Sequence, residues 1–231
     1  MSNNLRKRTI TSIVLLGLLF FINFSHEYIF IIALIILCAF IFYEFNFIYT
    51  KLFELSILKK KVFPHYKKFN FNFFILNLIT FFYIFIIFAN SSYQIYKFGS
   101  PTLFLFFISI CFFSDIGGYF FGKLIGGKKL TKISPNKTIS GAIGSFIFSL
   151  IPLVLFSKIH SLDIMINLKN IVLCLSVSLI NQIGDLIISF LKRRAKIKDT
   201  GSILPGHGGV LDRIDGIIFA IPFSYLLQQI I

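Results

Sequence analysis

The chain has 231 residues, 56% of them hydrophobic and only 14% charged, with a mean hydropathy of +0.86. A soluble domain carries about 25% charged residues, so composition excludes an ordinary soluble globular protein, and it excludes disorder, which needs low hydrophobicity. Basic residues outnumber acidic ones 23 to 9, for a net charge of +14; in an apolar chain such an excess marks cytoplasmic loops, and no nucleic-acid partner is expected. Cys38, Cys111 and Cys174 all sit in apolar runs and form no pairing framework.

In chain order, apolar runs predict membrane-spanning helices over 10–24, 28–48, 71–89, 101–121, 139–157, 170–190 and 214–231. The first and last are short. Residues 1–24 start basic and turn apolar, but no small-residue cleavage site follows, so a retained span is expected. With the N-terminus cytoplasmic, the loops on that side collect all but Lys97, Lys158 and Lys169 of the 23 basic residues. This asymmetry predicts an all-α polytopic membrane bundle of about seven spans with the N-terminus inside. Composition divides the chain into N-terminal membrane helices, 1–98, and a membrane domain, 99–231, that holds most of the fifteen glycines and the chemistry.

Five of the nine carboxylates, Asp115, Asp185, Asp199, Asp212 and Asp215, fall at the cytoplasmic ends of the predicted spans four, six and seven. A carboxylate beside hydrocarbon is costly unless it faces a cavity, a partner or a cation. Their convergence on one side predicts a polar cavity open to the cytoplasm; the plainer alternative for each is an ion pair with a neighbouring lysine or arginine. Asp185, Ser189 and Lys192 are spaced i, i+4, i+7 on one helix face, and Asp212 and Asp215 are spaced i, i+3. Mg²⁺ takes carboxylate oxygens and keeps positions open for phosphate, so Asp185 and Asp212, from different helices, are the candidate metal ligands. Lys192, Arg193, Lys198 and Arg213 are suited to holding phosphoryl oxygens, and metal with cationic clamp is the equipment of phosphoryl or nucleotidyl transfer.

The stretch 204–209 is glycine-rich and leads into the last helix, so its amides are candidates for approaching an anion. His207 within it is either a general acid or phosphate donor, or a structural histidine in a turn. A second constellation joins Asp115, Gly117, Gly118 and Gly122 to Ser134, Lys137 and Thr138. Gly118–Gly122 and Ser140–Gly144 have small-xxx-small spacing, which predicts close helix packing rather than catalysis. Ser134, Lys137 and Thr138 precede the fifth span and are candidates for a phosphate; the alternative for Lys137 is an ordinary topogenic charge.

The pattern Ser189-x-x-Lys192-Arg193, then Lys198-Asp199, then His207-Gly208-Gly209-x-x-Asp212-Arg213-x-Asp215 closely resembles the signature of the phosphatidate cytidylyltransferases, or CDP-diacylglycerol synthases. The 114–138 region and Gly184-Asp185-Leu186 are similar to that family too. The resemblance implies a multi-spanning enzyme of the bacterial inner membrane, probed from its cytoplasmic face by CTP and from the bilayer by phosphatidate. It implies a homodimer, dependence on Mg²⁺, and the products CDP-diacylglycerol and pyrophosphate. By the same resemblance Asp185 and Asp212 hold the metal centre, Mg²⁺ with room for a second cation. Lys192, Arg193, Lys198, Asp199, His207, Arg213 and Asp215 take catalytic positions, and Asp115, Ser134, Lys137, Thr138, Ser189, Gly208 and Gly209 contact substrate. Two positions depart from the pattern: Ser140 stands where the family usually has glutamate, and Gly216 where it usually has serine. Rival readings are a CTP-dependent lipid kinase, which would release CDP, an ion transporter, which would place acids near the midplane in paired repeats, and a structural scaffold, which leaves the polar signature without a purpose.

Overall fold

The computed structural model describes residues 3–59, 71–131, 134, 137–159, 164–204, 206 and 208–230. Among them the fold is helical; two isolated β-bridges, Lys129 with Thr138 and Leu204 with Gly208, are its only extended pairings. Among the described residues, five helical stretches are long and apolar enough to cross a membrane: Glu27–Glu54, Asn72–Gly99, Pro101–Leu124, Ile139–Phe156 and Leu168–Arg194. The first and last predicted spans form shorter apolar helices, Thr9–Phe24 and Ile217–Gln229, and Pro222 lies inside the latter. The outward faces carry isoleucine, leucine and phenylalanine, such as Ile13, Phe21, Ile32 and Ile79, as a bundle solvated by lipid requires.

The helices pack into two units. The first comprises Met1–Ala89 and Leu191–Ile214, the second Asn90–Phe190 and Asp215–Ile231. In the first unit, α1 (Asn3–Phe24) and α2 (Glu27–Lys59) are followed by α3 (Phe71–Phe82), which continues as a π-helical turn, Tyr83–Phe88. The buried residues of α2, among those described, are Phe30, Leu34, Cys38, Ile41, Glu44, Phe45, Ile48 and Tyr49. Their i, i+3/i+4 spacing makes one inward stripe. It packs on α3 and the π turn through a Phe42–Phe81 edge-to-face pair at 5.7 Å and a Tyr49–Thr80 hydroxyl hydrogen bond of 2.8 Å. α2 runs beyond the predicted end at 48, and its polar end carries an exposed Lys51–Glu54 pair.

In the second unit α4 (Ala89–Gln94) and a π turn, Ile95–Gly99, lead to α5 (Pro101–Leu124). Ser100 caps α5, accepting from the Leu103 amide at 3.1 Å, with Pro101 in the first helical turn. α6 (Ile139–Phe148) and α7 (Ile151–Phe156) form the next span, broken at 149–150 ahead of Pro152. The predicted small-residue spacing is realised where α5 crosses α6. A Cβ on Gly144 would lie 2.5 Å from Phe121 Cβ and 2.7 Å from the Gly117 carbonyl, and one on Gly141 would lie 2.8 Å from the Gly118 carbonyl. The helices are thus held together by backbone-to-backbone approach. Replacing Gly144 with alanine forces them apart, and a loss of about 1–3 kcal/mol is expected, the range for overpacking a closely packed contact. Thermal unfolding in detergent checks this; an unchanged midpoint contradicts it.

α8 (Leu168–Arg194) buries Cys174, Val177, Ser178, Asn181, Gly184 and Ile188 on one face. Gly184 lets α10 (Ile217–Ile230) approach, since a Cβ there would be 2.6 Å from Phe219 and 3.1 Å from the Asp215 carbonyl. A Cβ on Gly216 would meet Asn181 Cγ at 2.7 Å. A side chain at 216 would therefore need Asn181 to shift.

Candidate active site

The first unit holds the signature from Leu191 to Ile214, while its end residues Ser189 and Asp215 belong to the second. α8 ends in a Schellman arrangement: Lys196 has φ of 55°, its amide donates to the Arg193 carbonyl at 3.1 Å, and the Ile197 amide donates to the Lys192 carbonyl at 3.0 Å. This stop places Lys192 in the last turn and sends the chain back through Thr200 towards α9 (Leu211–Ile214). Lys192 Nζ lies 2.7 Å from Asp212 Oδ1, with side-chain exposures of 13% and 7%. The other carboxylate oxygen, Oδ2, accepts from the Thr200 amide at 2.8 Å and the Gly209 amide at 3.0 Å. Gly208 sits at φ 87°, a conformation glycine adopts without strain, and a Cβ there would be 3.0 Å from Asp212 Oδ2.

Burial alone would push the Asp212 carboxyl up. The Lys192 ammonium and the two amides outweigh burial and hold it below the usual carboxylate range. A carboxyl depressed in the folded state stabilises the fold above its unfolded value, about 3.9, and that contribution is lost as pH falls through the depressed value. Between about pH 5 and 3, wild-type protein should therefore lose thermal stability more steeply than Asp212→Asn. Equal slopes would contradict the assignment of this carboxylate as the paired, anionic form.

Three amides at and just after the end of the glycine-rich stretch are taken by carboxylates of the protein itself. The Gly209 amide is taken by Asp212, and those of Val210 and Leu211 donate to Glu44 of α2, each at 2.8 Å. Glu44 is fully buried. A carboxylate inside an apolar span signals a specific partner, and here the partner is the signature segment. The helix face expected to carry Asp212 and Asp215 together is interrupted: α9 ends at Ile214 and α10 begins at Ile217. Asp215 Oδ1 accepts from the Gly216 amide at 2.9 Å.

The second unit holds the other constellation. Asp185 accepts from Ser189 Oγ at 3.2 Å, as the i, i+4 spacing predicts, and is ion-paired with Lys137. Lys137 is carried by a short hairpin-like connection. The Leu130 amide donates to the Lys137 carbonyl at 2.8 Å and the Ile139 amide to the Lys128 carbonyl at 3.0 Å. Thr138 caps α6, accepting from the Gly141 amide at 3.1 Å. Ser140 Oγ donates to the Gly126 carbonyl at 2.5 Å, so the serine in place of the family's usual glutamate ties this connection to α6. Ser134 accepts from the Lys137 amide through its carbonyl, at 3.1 Å. Asp115 on α5 accepts from Asn181 Nδ2 at 2.8 Å, and Ser114 and Ser178 share a buried hydrogen bond between the same helices. Asn181 has its carbonyl oxygen buried without a hydrogen-bond partner.

Arg193, Lys198, Asp199 and Arg213 are exposed. His207 lies outside the described residues, as do Pro205 and Pro135-Asn136. Among the described residues no group of three or more histidine, cysteine or carboxylate side chains forms a ready-made metal cluster.

The chain is a helical membrane protein in which each unit pairs an aspartate with a lysine, Asp212 with Lys192 in the first and Asp185 with Lys137 in the second. The chain matches the Cytidylyltransferase family over residues 45–231 and belongs to it. It is 47% identical over 116 residues to the phosphatidate cytidylyltransferase of Bacillus subtilis, a match covering 49% of this chain and 42% of that protein. It is 45% identical over 127 residues to the phosphatidate cytidylyltransferase of Staphylococcus epidermidis, covering 53% and 47%. The Staphylococcus aureus protein of the same name is 44% identical over 120 residues, covering 51% and 45%. In each case the match spans less than half of the relative.

Proposed function

We propose that the chain transfers the cytidylyl group of CTP to phosphatidate, yielding CDP-diacylglycerol and pyrophosphate. A phosphate oxygen of the lipid attacks the α-phosphorus of CTP in line. One P–O bond forms, the bond from that phosphorus to the bridging oxygen breaks, and its electron pair leaves with pyrophosphate. No protein nucleophile is needed, because the lipid phosphate is already an anion. The observation that carries the reading is the anionic Asp212 held by Lys192 inside the signature, in a chain of the cytidylyltransferase family.

Asp185 and Asp212 are the proposed Mg²⁺ ligands. Their chemistry suits a hard cation. A carboxylate offers about four acceptor positions, of which Asp212 uses three, for Lys192, Thr200 and Gly209, and Asp185 accepts from Ser189 and Lys137. Bound Mg²⁺ supplies neutralisation of the phosphate charges and polarisation of the P–O bonds. Lys137, Lys192, Arg193, Lys198 and Arg213 bring the two polyanions together against their repulsion. Asp199, His207 and Asp215 complete the catalytic set, and Asp115, Ser134, Thr138, Ser189, Gly208 and Gly209 form the substrate surround. Lys137 and Lys192, each paired with one of these aspartates, are the ammonium groups that would meet phosphate oxygens beside a cation held there.

The same reading places residues 99–231 as the catalytic part. It gives seven spans with the N-terminus inside, a homodimer, and an active site on the cytoplasmic side of the bacterial inner membrane. Support for the orientation is the one-sided distribution of lysine and arginine. Purified protein given CTP, phosphatidate and Mg²⁺ tests the reaction. Pyrophosphate with CDP-diacylglycerol is the expected outcome; CDP with a phosphorylated lipid would assign a lipid kinase instead.

A further inference from the structure

Glu44 is a buried carboxylate that the proposed chemistry leaves unused. It lies on the inward stripe of α2, is 0% exposed, and sits one residue ahead of the stretch matched by the family. A carboxylate in such a place needs donors that repay its desolvation. Its described partners are three neutral donors: Thr200 Oγ1 at 2.6 Å and the amides of Val210 and Leu211 at 2.8 Å. The signature strand closes tightly around it, since a Cβ on Gly201 would lie 2.8 Å from Glu44 Oε1, and one on Gly209 would lie 2.7 Å from Glu44 Cδ.

The donors of Glu44 interleave with those of Asp212. Thr200 gives its hydroxyl to Glu44 and its amide to Asp212. Gly209 gives its amide to Asp212, and the next two residues give theirs to Glu44. The rotation of this loop, and with it the direction of the Asp212 carboxylate, is therefore set by the α2 glutamate. We propose that Glu44 is a positioning residue that fixes Thr200 and the turn at Gly209, Val210 and Leu211 so that Asp212 presents its remaining acceptor position to a divalent cation. The proposal rests on Asp212 being a metal ligand.

The test uses the full chain in detergent with Mn²⁺ alone as the probe, followed by electron paramagnetic resonance, and amide exchange without metal. Glu44→Gln keeps the shape but removes one acceptor oxygen and turns an amino group towards the loop's donors. Partners that orient a metal ligand typically change affinity by 10- to 100-fold, so Glu44→Gln should weaken Mn²⁺ binding by about 10-fold or more and speed exchange at 209–211. Thr200→Val removes only the hydroxyl donor and leaves the amide on Asp212; a weakening of about 3-fold or more is expected, scaled down from the same range. Glu44→Asp should recover part of the loss. If Glu44→Gln does not fold, Thr200→Val decides. Unchanged Mn²⁺ affinity in the folded variants overturns the proposal, as does weakened folding stability with Mn²⁺ binding intact. Wild-type protein that binds no Mn²⁺ instead overturns the reading of Asp212 itself.

Discussion

Asp212→Asn is expected to cut pyrophosphate release by about 10³-fold, the scale seen when a group that stabilises transition-state charge is removed. The asparagine carbonyl can keep the Thr200 and Gly209 amides that Oδ2 accepts now. Its amino group then faces the Lys192 ammonium, where Oδ1 accepts at 2.7 Å. One negative charge disappears from the proposed metal ligand set and a donor is set against a donor. The fold should survive, because the lost interaction is one hydrogen-bonded pair worth about 1.5–3 kcal/mol. Initial rates at saturating CTP, read beside thermal unfolding, separate the two effects. Activity within threefold of wild type would remove Asp212 from the reaction.

Lys192→Met is the second large effect. Methionine fills the volume of the lysine stem but leaves Asp212, 7% exposed, without its cation. Breaking a buried pair from one side costs about 3 kcal/mol or more, because the remaining charge is uncompensated. Unlike the asparagine change, this one should lower the unfolding midpoint clearly as well as abolish turnover. The double variant Lys192→Met/Asp212→Asn removes both charges, so it should be more stable than Lys192→Met alone and equally inactive. A double variant no more stable than the single one would show that the pair does not govern stability here.

Much of this was legible in the residues. Long apolar runs mark the five membrane-length helices, because a helix in lipid satisfies its own backbone. The small-residue spacing of Gly118, Gly122 and Gly144 anticipates the α5–α6 crossing, and the i, i+4 relation of Asp185 and Ser189 becomes a hydrogen bond. Local spacing could not reveal the partners that come from far along the chain. Glu44 is separated by 156 to 167 positions from the groups that satisfy it, and two of those are backbone amides that any residue could supply. The same holds for Lys137: in the sequence it is a phosphate candidate or a topogenic charge, and its partner Asp185 lies far along the chain. The break between α9 and α10 escaped as well, since periodicity places Asp212 and Asp215 on one face, while Gly216 packs against Asn181 and interrupts the helix. The signature's meaning, by contrast, lies in the identity and order of its residues, which need no coordinates.

The most direct measurement is pyrophosphate release by the Asp185→Asn/Asp212→Asn double variant across a Mg²⁺ titration, with folded wild-type protein alongside. The account predicts Mg²⁺-dependent release from the wild type and none from the double variant at any Mg²⁺ concentration. Release from the double variant at a rate near wild type would contradict the claim that these two aspartates carry the metal.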